Sequence, residues 1–286
     1  MSNEKNKVEK GVLYLVATPI GNLADISERA IKVLSEVDFI AAEDTRNSLK
    51  LLTALGIRGE LVSYHEHNKR SSGERLVARL LAGEACALIT DAGMPAISDP
   101  GEDIVRLCQD AGIKVSVVPG ACAAVSALSL SGLSTVRFAF EGFLSAKSSE
   151  RKKRLDTLKD EERTMIFYEA PHKLRATLSD MTRAFGEERQ ISLCRELTKL
   201  NEEICKTTLG EAVRLYEEKE PRGEYVLVVE GCDTALVADT EVLNLSPLEH
   251  IAKYEEEGMS RMDAIKRAAK ERGMSKSELY NLTVKD

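Results

Sequence analysis

A chain of 286 residues, 43% of them apolar and with a formal net charge of -7, is long enough for two globular domains and too acidic overall to coat nucleic acid non-specifically, which still leaves room for a local basic face. Six scattered cysteines with no C-x-x-C pair, and four histidines away from zinc-ligand spacing, indicate neither a disulfide framework nor a metal site. The polar opening MSNEKNKVEK lacks the apolar stretch of a signal peptide, and the least polar segment, 115–136, is broken by Pro119 and Gly120, so a cytoplasmic chain without a membrane partner is expected.

In chain order, a polar stretch 1–10 reads as disordered. GVLYLVA (11–17) then reads as a strand, and ADISERAIKVLSEV places Ile26, Ala30, Val33, Leu34 and Val37 on one helical face, with Asp25 as its expected cap. The unit recurs as DFIAA with a helix over about 48–55, LVSY with a helix over about 73–81, CALIT with EDIVRLCQDAG, and VSVV with AAVSALSLSG. Five strand-helix units predict a mostly parallel sheet for an N-terminal α/β domain, 11–134, with ligands at the carboxyl ends of its strands.

From about residue 135 the pattern changes. RFAFEGF, TMIFYEA, QISLCREL, EICKTT and EYVLVVEG read as strands and SSERKKRLDTLKD, HKLRATLSDMTRAF and LGEAVRLYEEK as helices, predicting a second α/β domain, 135–232, with a mixed sheet. A polar linker (233–245) leads to a helical tail, 246–286, whose short helices resemble a helix-turn-helix.

Three loops that follow strands of the first domain are rich in Gly and Pro: TPIGN (18–22), the end of LITDAGMPAISDPG (88–101) and PGAC (119–122). Strand termination alone explains any one of them. Together they predict one pocket, because a mere connection rarely needs a ten-residue loop. Neither G-x-G-x-x-G nor G-x-x-x-x-G-K-[ST] occurs, which disfavours a pyrophosphate ligand. The carboxylate of Asp91 at the pocket mouth suits a ligand with cationic groups, although Asp91 reads equally as a turn cap.

The succession LYLVATPIGNLADISERAIKVLSEVDFIAAEDTR, LITDAGMPAISDPG, VVPGACAAVSALSLSGL, EGFLSAK, MIFYEAPHKL and CRELTK resembles the ribosomal RNA small subunit methyltransferase I family of the tetrapyrrole methylase superfamily, over residues 11–231. The resemblance implies two α/β domains with S-adenosylmethionine in the cleft between them, a homodimer, and methylation of the ribose 2′-oxygen of a cytidine in the decoding region of 16S rRNA, within the small ribosomal subunit; with no metal indicated by the cysteine and histidine spacing, that cofactor is the only one expected. It implies cofactor contacts at Ile20, Ile89, Thr90, Asp91 and Met94, at Cys122 and Ala123, and at Glu169 and Leu197 in the second domain. Methionine is usual at the position of Glu169 in the tetrapyrrole enzymes, and Gly-Asp-Pro is replaced by Thr-Asp-Ala around Asp91, departures that fit an RNA acceptor. Two rivals stay open: a small-molecule methylase of the same fold, and a non-catalytic ribosome-binding module.

A ribose hydroxyl needs a proton acceptor as it attacks. Glu43, Asp44 and Arg46 end the second strand; Asp44 is the first candidate to take the proton and Arg46 to grip a phosphate, the alternative being a cap and ion pair. His65 is a second base candidate, or a satisfied loop histidine. Lys147, Arg151, Lys152, Lys153 and Arg154, with Arg195 and Lys199, are the candidate RNA contacts, and the tail adds Arg261, Lys266, Arg267, Lys270, Arg272 and Lys276. Such runs also read as solvated helix faces or structural pairs.

Overall fold

A computed structural model describes residues 7–232, 245–272 and 274–283. Strands β1 (Val12–Val16), β2 (Phe39–Ala42), β3 (Glu60–Ser63), β4 (Cys86–Ile89) and β5 (Lys114–Val118) form one sheet in the order β3-β2-β4-β1-β5, every pair parallel. Parallel pairing requires crossovers, and the sequence supplies amphipathic helices for them: α1 (Glu28–Glu36), α2 (Thr45–Ala54), α3 (Lys69–Leu81) and α4 (Gly101–Asp110). Val33, Leu34 and Leu52 of α1 and α2 bury one face of the sheet; Leu76, Leu80, Ile104 and Cys108 of α3 and α4 bury the other. With both faces covered, β2 and β4 are buried at every position, as their unbroken apolar runs dictate.

Helix starts depart from the sequence reading where side chains cap. Ser27, not Asp25, caps α1 by accepting from the Ala30 amide; Asp25 closes a short 3-10 turn. Asp44 starts α2 three residues earlier than the periodicity suggests. Asn68 folds the loop before α3, accepting from the His65 amide and donating to the Ser63 carbonyl, so that α3 begins at Lys69. The N-terminus is tied down where it is described: the Glu9 amide donates to the Tyr14 hydroxyl, and the Glu9 carboxylate pairs with Lys114, which corrects the expected disorder at that point. Residues 1–6, also expected to be disordered, lie outside the described residues.

Strands β6 (Phe138–Phe143), β7 (Thr164–Glu169), β8 (Gln190–Arg195), β9 (Glu203–Thr208) and β10 (Tyr225–Val229) form the second sheet, ordered β6-β7-β10-β8-β9. It is mixed: β6 and β7 run parallel and the remaining pairs antiparallel. Helices α6 (Ser148–Thr157), α7 (Pro171–Phe185) and α8 (Leu209–Glu218) connect its strands. One further helix ties the sheets together. The fifth crossover, α5 (Ala123–Leu130), buries Ala124, Ala127 and Leu128 not on the first sheet but against Ile166, Cys194, Val226 and Val228 of the second.

Both sheets belong to one compact unit. Residues 157–163 and the described residues from 231 onward form the other. That second unit contains α9 (Pro247–Glu256), α10 (Arg261–Glu271) and α11 (Lys276–Thr283), packed through Ile251, Tyr254, Ile265, Ala268 and Leu279. Buried His250 accepts at Nδ1 from Arg272 Nε and therefore donates from Nε2 to Glu271. Most of the expected linker, 233–244, lies outside the described residues. Among the described residues no helix is long and apolar enough to cross a membrane.

Candidate active site

The three Gly- and Pro-rich loops leave adjacent strands, because β1 lies between β4 and β5. They are laced together by backbone. Thr18 and Gly93 exchange N–H···O bonds of 2.9 and 3.1 Å, Thr18 Oγ1 donates to the Thr90 carbonyl, and the Ala17 amide donates to the Val118 carbonyl. Gly93 has φ +89, and a Cβ there would stand 3.2 Å from Ile20 Cγ2, so this close approach requires glycine.

Beside these loops lies a cavity of about 600 Å³ that reaches the second sheet. Of the expected cofactor positions, Ile20, Thr90, Asp91, Met94, Cys122 and Ala123 line it from the first sheet's side, and Glu169 and Leu197 from the second. Ile89 does not. It is a core residue 1% exposed, because β4 is buried on both faces up to its last position.

Glu43 lines the cavity directly after β2, and Thr90 Oγ1 donates to its Oε2 at 2.8 Å. Asp44 points elsewhere, which corrects its reading as proton acceptor. It caps α2 by accepting from the Arg46 amide, and its two oxygens accept from Arg46 Nε and Nη2 at 3.2 and 2.9 Å. The hydrogen bonds from the Arg46 side chain, then from its amide, hold the Asp44 carboxyl down at about 2, so it is a weak base. Neither Arg46, exposed at the start of α2, nor His65 lines the cavity.

Four non-glycine residues among those described have left-handed φ: Ala96 (67°) and Ser98 (65°), Glu196 (52°) and Thr198 (65°). They flank Ile97 and Leu197, both cavity residues. Such conformations cost about 1–2 kcal/mol each, so both loops are strained where they meet the cavity. Asp99 fastens the first: its Oδ1 accepts from the amides of Ala96 and Gly101, while its buried Oδ2 has no partner among the described residues.

The second sheet contributes mainly side chains. Buried Glu169 accepts from the Ala170 amide and from Thr177 Oγ1 at 2.8 and 2.5 Å, which turns it towards the start of α7. The Tyr168 hydroxyl accepts from the Ala124 amide at the start of α5, and burial pushes its pKa up to about 12. Lys199 bridges Glu196 (2.9 Å) and Glu224 (2.7 Å) on the cavity wall. Burial opposes its charge, but the two carboxylates outweigh burial and raise its pKa; Lys199 in turn lowers that of Glu196.

The expected RNA cations are mostly engaged. Arg151 is corrected outright: it is 6% exposed, bonded through Nε and Nη2 to Asp180 and through Nη1 to the carbonyls of Ser145 and Ala146, so it holds α6 to α7. Lys147 pairs with Glu150, Lys152 with Asp180, Arg154 with Glu141 and Arg195 with Glu203; Lys153 is exposed. In the tail Arg261 lies 4.0 Å from Glu255, and Arg267 pairs with Glu271 over the Tyr254 ring. Lys266 and Lys276 are exposed, and the side chain of Lys270 lies outside the described residues.

The sequence reading missed Ile97, Asp99, Phe143 and Tyr168 as cavity residues. Asp99 had a signal, as a polar side chain within the dense turn 93–101. The others read as ordinary apolar positions.

A family model described as Tetrapyrrole (Corrin/Porphyrin) Methylases matches residues 12–213. The chain is 49% identical over 276 residues to a ribosomal RNA small subunit methyltransferase I of Halalkalibacterium halodurans, covering 96% of this chain and 95% of that protein. It is 47% identical over 277 residues to the protein of that name in Bacillus subtilis, covering 96% and 94%. Among solved structures, a uroporphyrin-III-C-methyltransferase from Thermus thermophilus aligns with TM-score 0.55 at 22% identity, over 76% of this chain and 94% of that one. A diphthine synthase aligns with TM-score 0.58 at 14% identity, over 77% and 90%. These two show the fold alone, whereas the long, nearly end-to-end identities show the lineage: the chain belongs to the ribosomal RNA small subunit methyltransferase I family and carries its tetrapyrrole methylase domain.

Proposed function

We propose that this protein transfers a methyl group from S-adenosylmethionine to the ribose 2′-oxygen of a cytidine in the decoding region of 16S rRNA, acting in the cytoplasm as a homodimer on the small ribosomal subunit. The observation that carries the reading is Glu43, a carboxylate on the cavity wall fixed through one oxygen by Thr90. Family membership supplies the rRNA context.

The cavity suits the cofactor. Its volume lies within the roughly 300–1,000 Å³ of small-molecule sites, and its wall carries Glu43, Asp91, Asp99 and Glu169. That is a field for a ligand bearing sulfonium and ammonium charges, and the unpartnered Asp99 Oδ2 calls for a donor. Ile20, Met94, Cys122, Ala123 and Leu197 would supply its apolar seat, with Thr90 and Asp91 at the polar end. When bound, S-adenosylmethionine supplies a methyl group activated for displacement by an oxygen in line with it.

The protein's work is then alignment and proton removal. Glu43 Oε1 is the acceptor for the hydroxyl proton; Thr90 fixes Oε2, so the carboxylate keeps its direction. Lys199, which bridges Glu196 and Glu224, would meet the phosphate beside the reacting ribose by exchanging one of those carboxylates for it. A tetrapyrrole, which brings its own carboxylates, meets like charge on this wall. A ribose brings a neutral hydroxyl and keeps its phosphates at the rim.

Mapping ribose methylation on 16S rRNA with and without this protein tests the reading. One 2′-O-methylcytidine in the decoding region that depends on the protein is expected. Methylation on a base, or on no rRNA nucleotide, contradicts it.

A further inference from the structure

Two exposed apolar side chains at the lip of the cavity take no part in the chemistry above. Phe143 is 59% exposed and Ile97 44%, and both line the cavity. They come from different sheets, Phe143 from the end of β6 and Ile97 from the loop after β4. The pairing of β6 with β7 is bulged between Phe140 and Gly142, just before Phe143. Gly142 has φ +64, and a Cβ there would stand 3.4 Å from Ser98 Oγ, so the residue before Phe143 lies close to the residue after Ile97.

Both side chains are propped. The Phe143 ring meets Tyr168 edge-on at 5.4 Å, and Phe140 meets the same tyrosine at 5.0 Å. Ile97 stands between the left-handed Ala96 and Ser98, in the loop fastened by Asp99. Strain spent to hold an aliphatic side chain in water beside a rigid aromatic ring makes sense if a flat apolar face is to be received there.

The cavity has a second apolar surface, and the two differ in exposure. Leu197 and Val226 on the inner wall are 7% and 6% exposed. That enclosed surface matches a ring held inside. The exposed pair at the lip matches a ring arriving from solution.

On the basis of the RNA methyl-transfer reading, we propose that Phe143 and Ile97 form a clamp for the base of the acceptor nucleotide. Turned out of the RNA, the base stacks on Phe143 with Ile97 against its other face or edge, and its ribose is thereby presented to Glu43. Stacking on a π-face tolerates any base, so the clamp positions the nucleotide, and sequence choice comes from the surrounding RNA.

Phe143→Ala, Ile97→Ala and Phe143→Trp test this by calorimetric titration with S-adenosylmethionine and by steady-state methyl transfer to small subunits from an unmethylated strain. Phe143→Ala is expected to raise KM for subunits about tenfold, Ile97→Ala by a smaller factor, while cofactor affinity stays near wild type. Phe143→Trp, which keeps a stacking face, should restore KM. Wild-type transfer with unchanged KM in both alanine variants overturns the clamp alone. Cofactor affinity that falls as far as turnover overturns it in favour of the cofactor's adenine in the slot. A wild-type protein that transfers no methyl to subunits overturns the methyl-transfer reading, and the clamp with it.

Discussion

On the first sheet's side of the cavity, the contacts that fix geometry satisfy main-chain groups: Thr18 with Gly93 and Ala17 with Val118 through backbone alone, and the amides of Ala96 and Gly101 through the Asp99 carboxylate. On the second sheet's side they run between side chains: Lys199 with Glu196 and Glu224, Glu169 with Thr177, and Tyr168 with Phe140 and Phe143. The backbone–backbone pairs carry no titratable group and do not depend on side-chain identity, whereas ion pairs and ring contacts change with the residues that make them. Under the proposed function this difference is a division of labour: the parallel sheet's loops would form most of the cofactor's seat, and the mixed sheet's side chains would fit the same fold to its acceptor. Glu43 stands at the meeting of the two.

The largest effect expected is at that junction. Glu43→Gln keeps the Thr90 hydrogen bond but removes the proton acceptor, and single-turnover methyl transfer should slow by roughly 10²–10⁴-fold with cofactor affinity unchanged. Next is the backbone side. Gly93→Val puts a branched side chain at φ +89 against Ile20, costing about 1–3 kcal/mol; the loop shifts, and calorimetry should show weaker S-adenosylmethionine binding. On the side-chain side, Lys199→Met should raise KM for subunits a few-fold and spare cofactor binding.

The Lys199 network also sets a pH window. The Glu196 carboxyl is held below its usual 4.5 by Lys199, so its stabilisation is complete above 4.5 and is lost as pH falls through the lowered value. The Lys199 amine is raised above 10.5, so its share is complete below 10.5 and is lost as pH rises through the raised value. Thermal melts should show this contribution flat between those limits, and Lys199→Met should remove its share of both edges. The smallest effect is expected at Asp44. With its carboxylate committed to Arg46 and the cap of α2, Asp44→Asn should lower turnover by about fivefold or less.

Much of the fold could be read from residue patterns. Continuous apolar runs such as FIAA and CALI mark doubly buried parallel strands, and EYVLVVEG marks the central strand of the mixed sheet, because burial on both faces removes alternation. The three Gly- and Pro-rich loops were visible for the same local reason. What local pattern cannot carry is the identity of a distant partner. Arg151 sits in a run of cations that looks solvated, and its burial depends on Asp180, 29 residues away on α7. The crossing of α5 to the second sheet rests on Ile166, Cys194 and Val226 beneath it. Asp44 and Glu43 are adjacent in sequence, and only the start of α2 decides which faces the cavity. Phe143 was hidden because an exposed phenylalanine at a strand end resembles any other, and its meaning comes from Ile97, which lines the same cavity from the loop after β4.

Titration of S-adenosylmethionine into the purified protein, side by side for wild type and Gly93→Val, decides whether the interlaced loops after β1, β4 and β5 seat the methyl donor. Saturable binding at one site per chain, weakening sharply in the variant, is expected. Absence of binding to wild type, or equal affinity in a folded Gly93→Val, would contradict it.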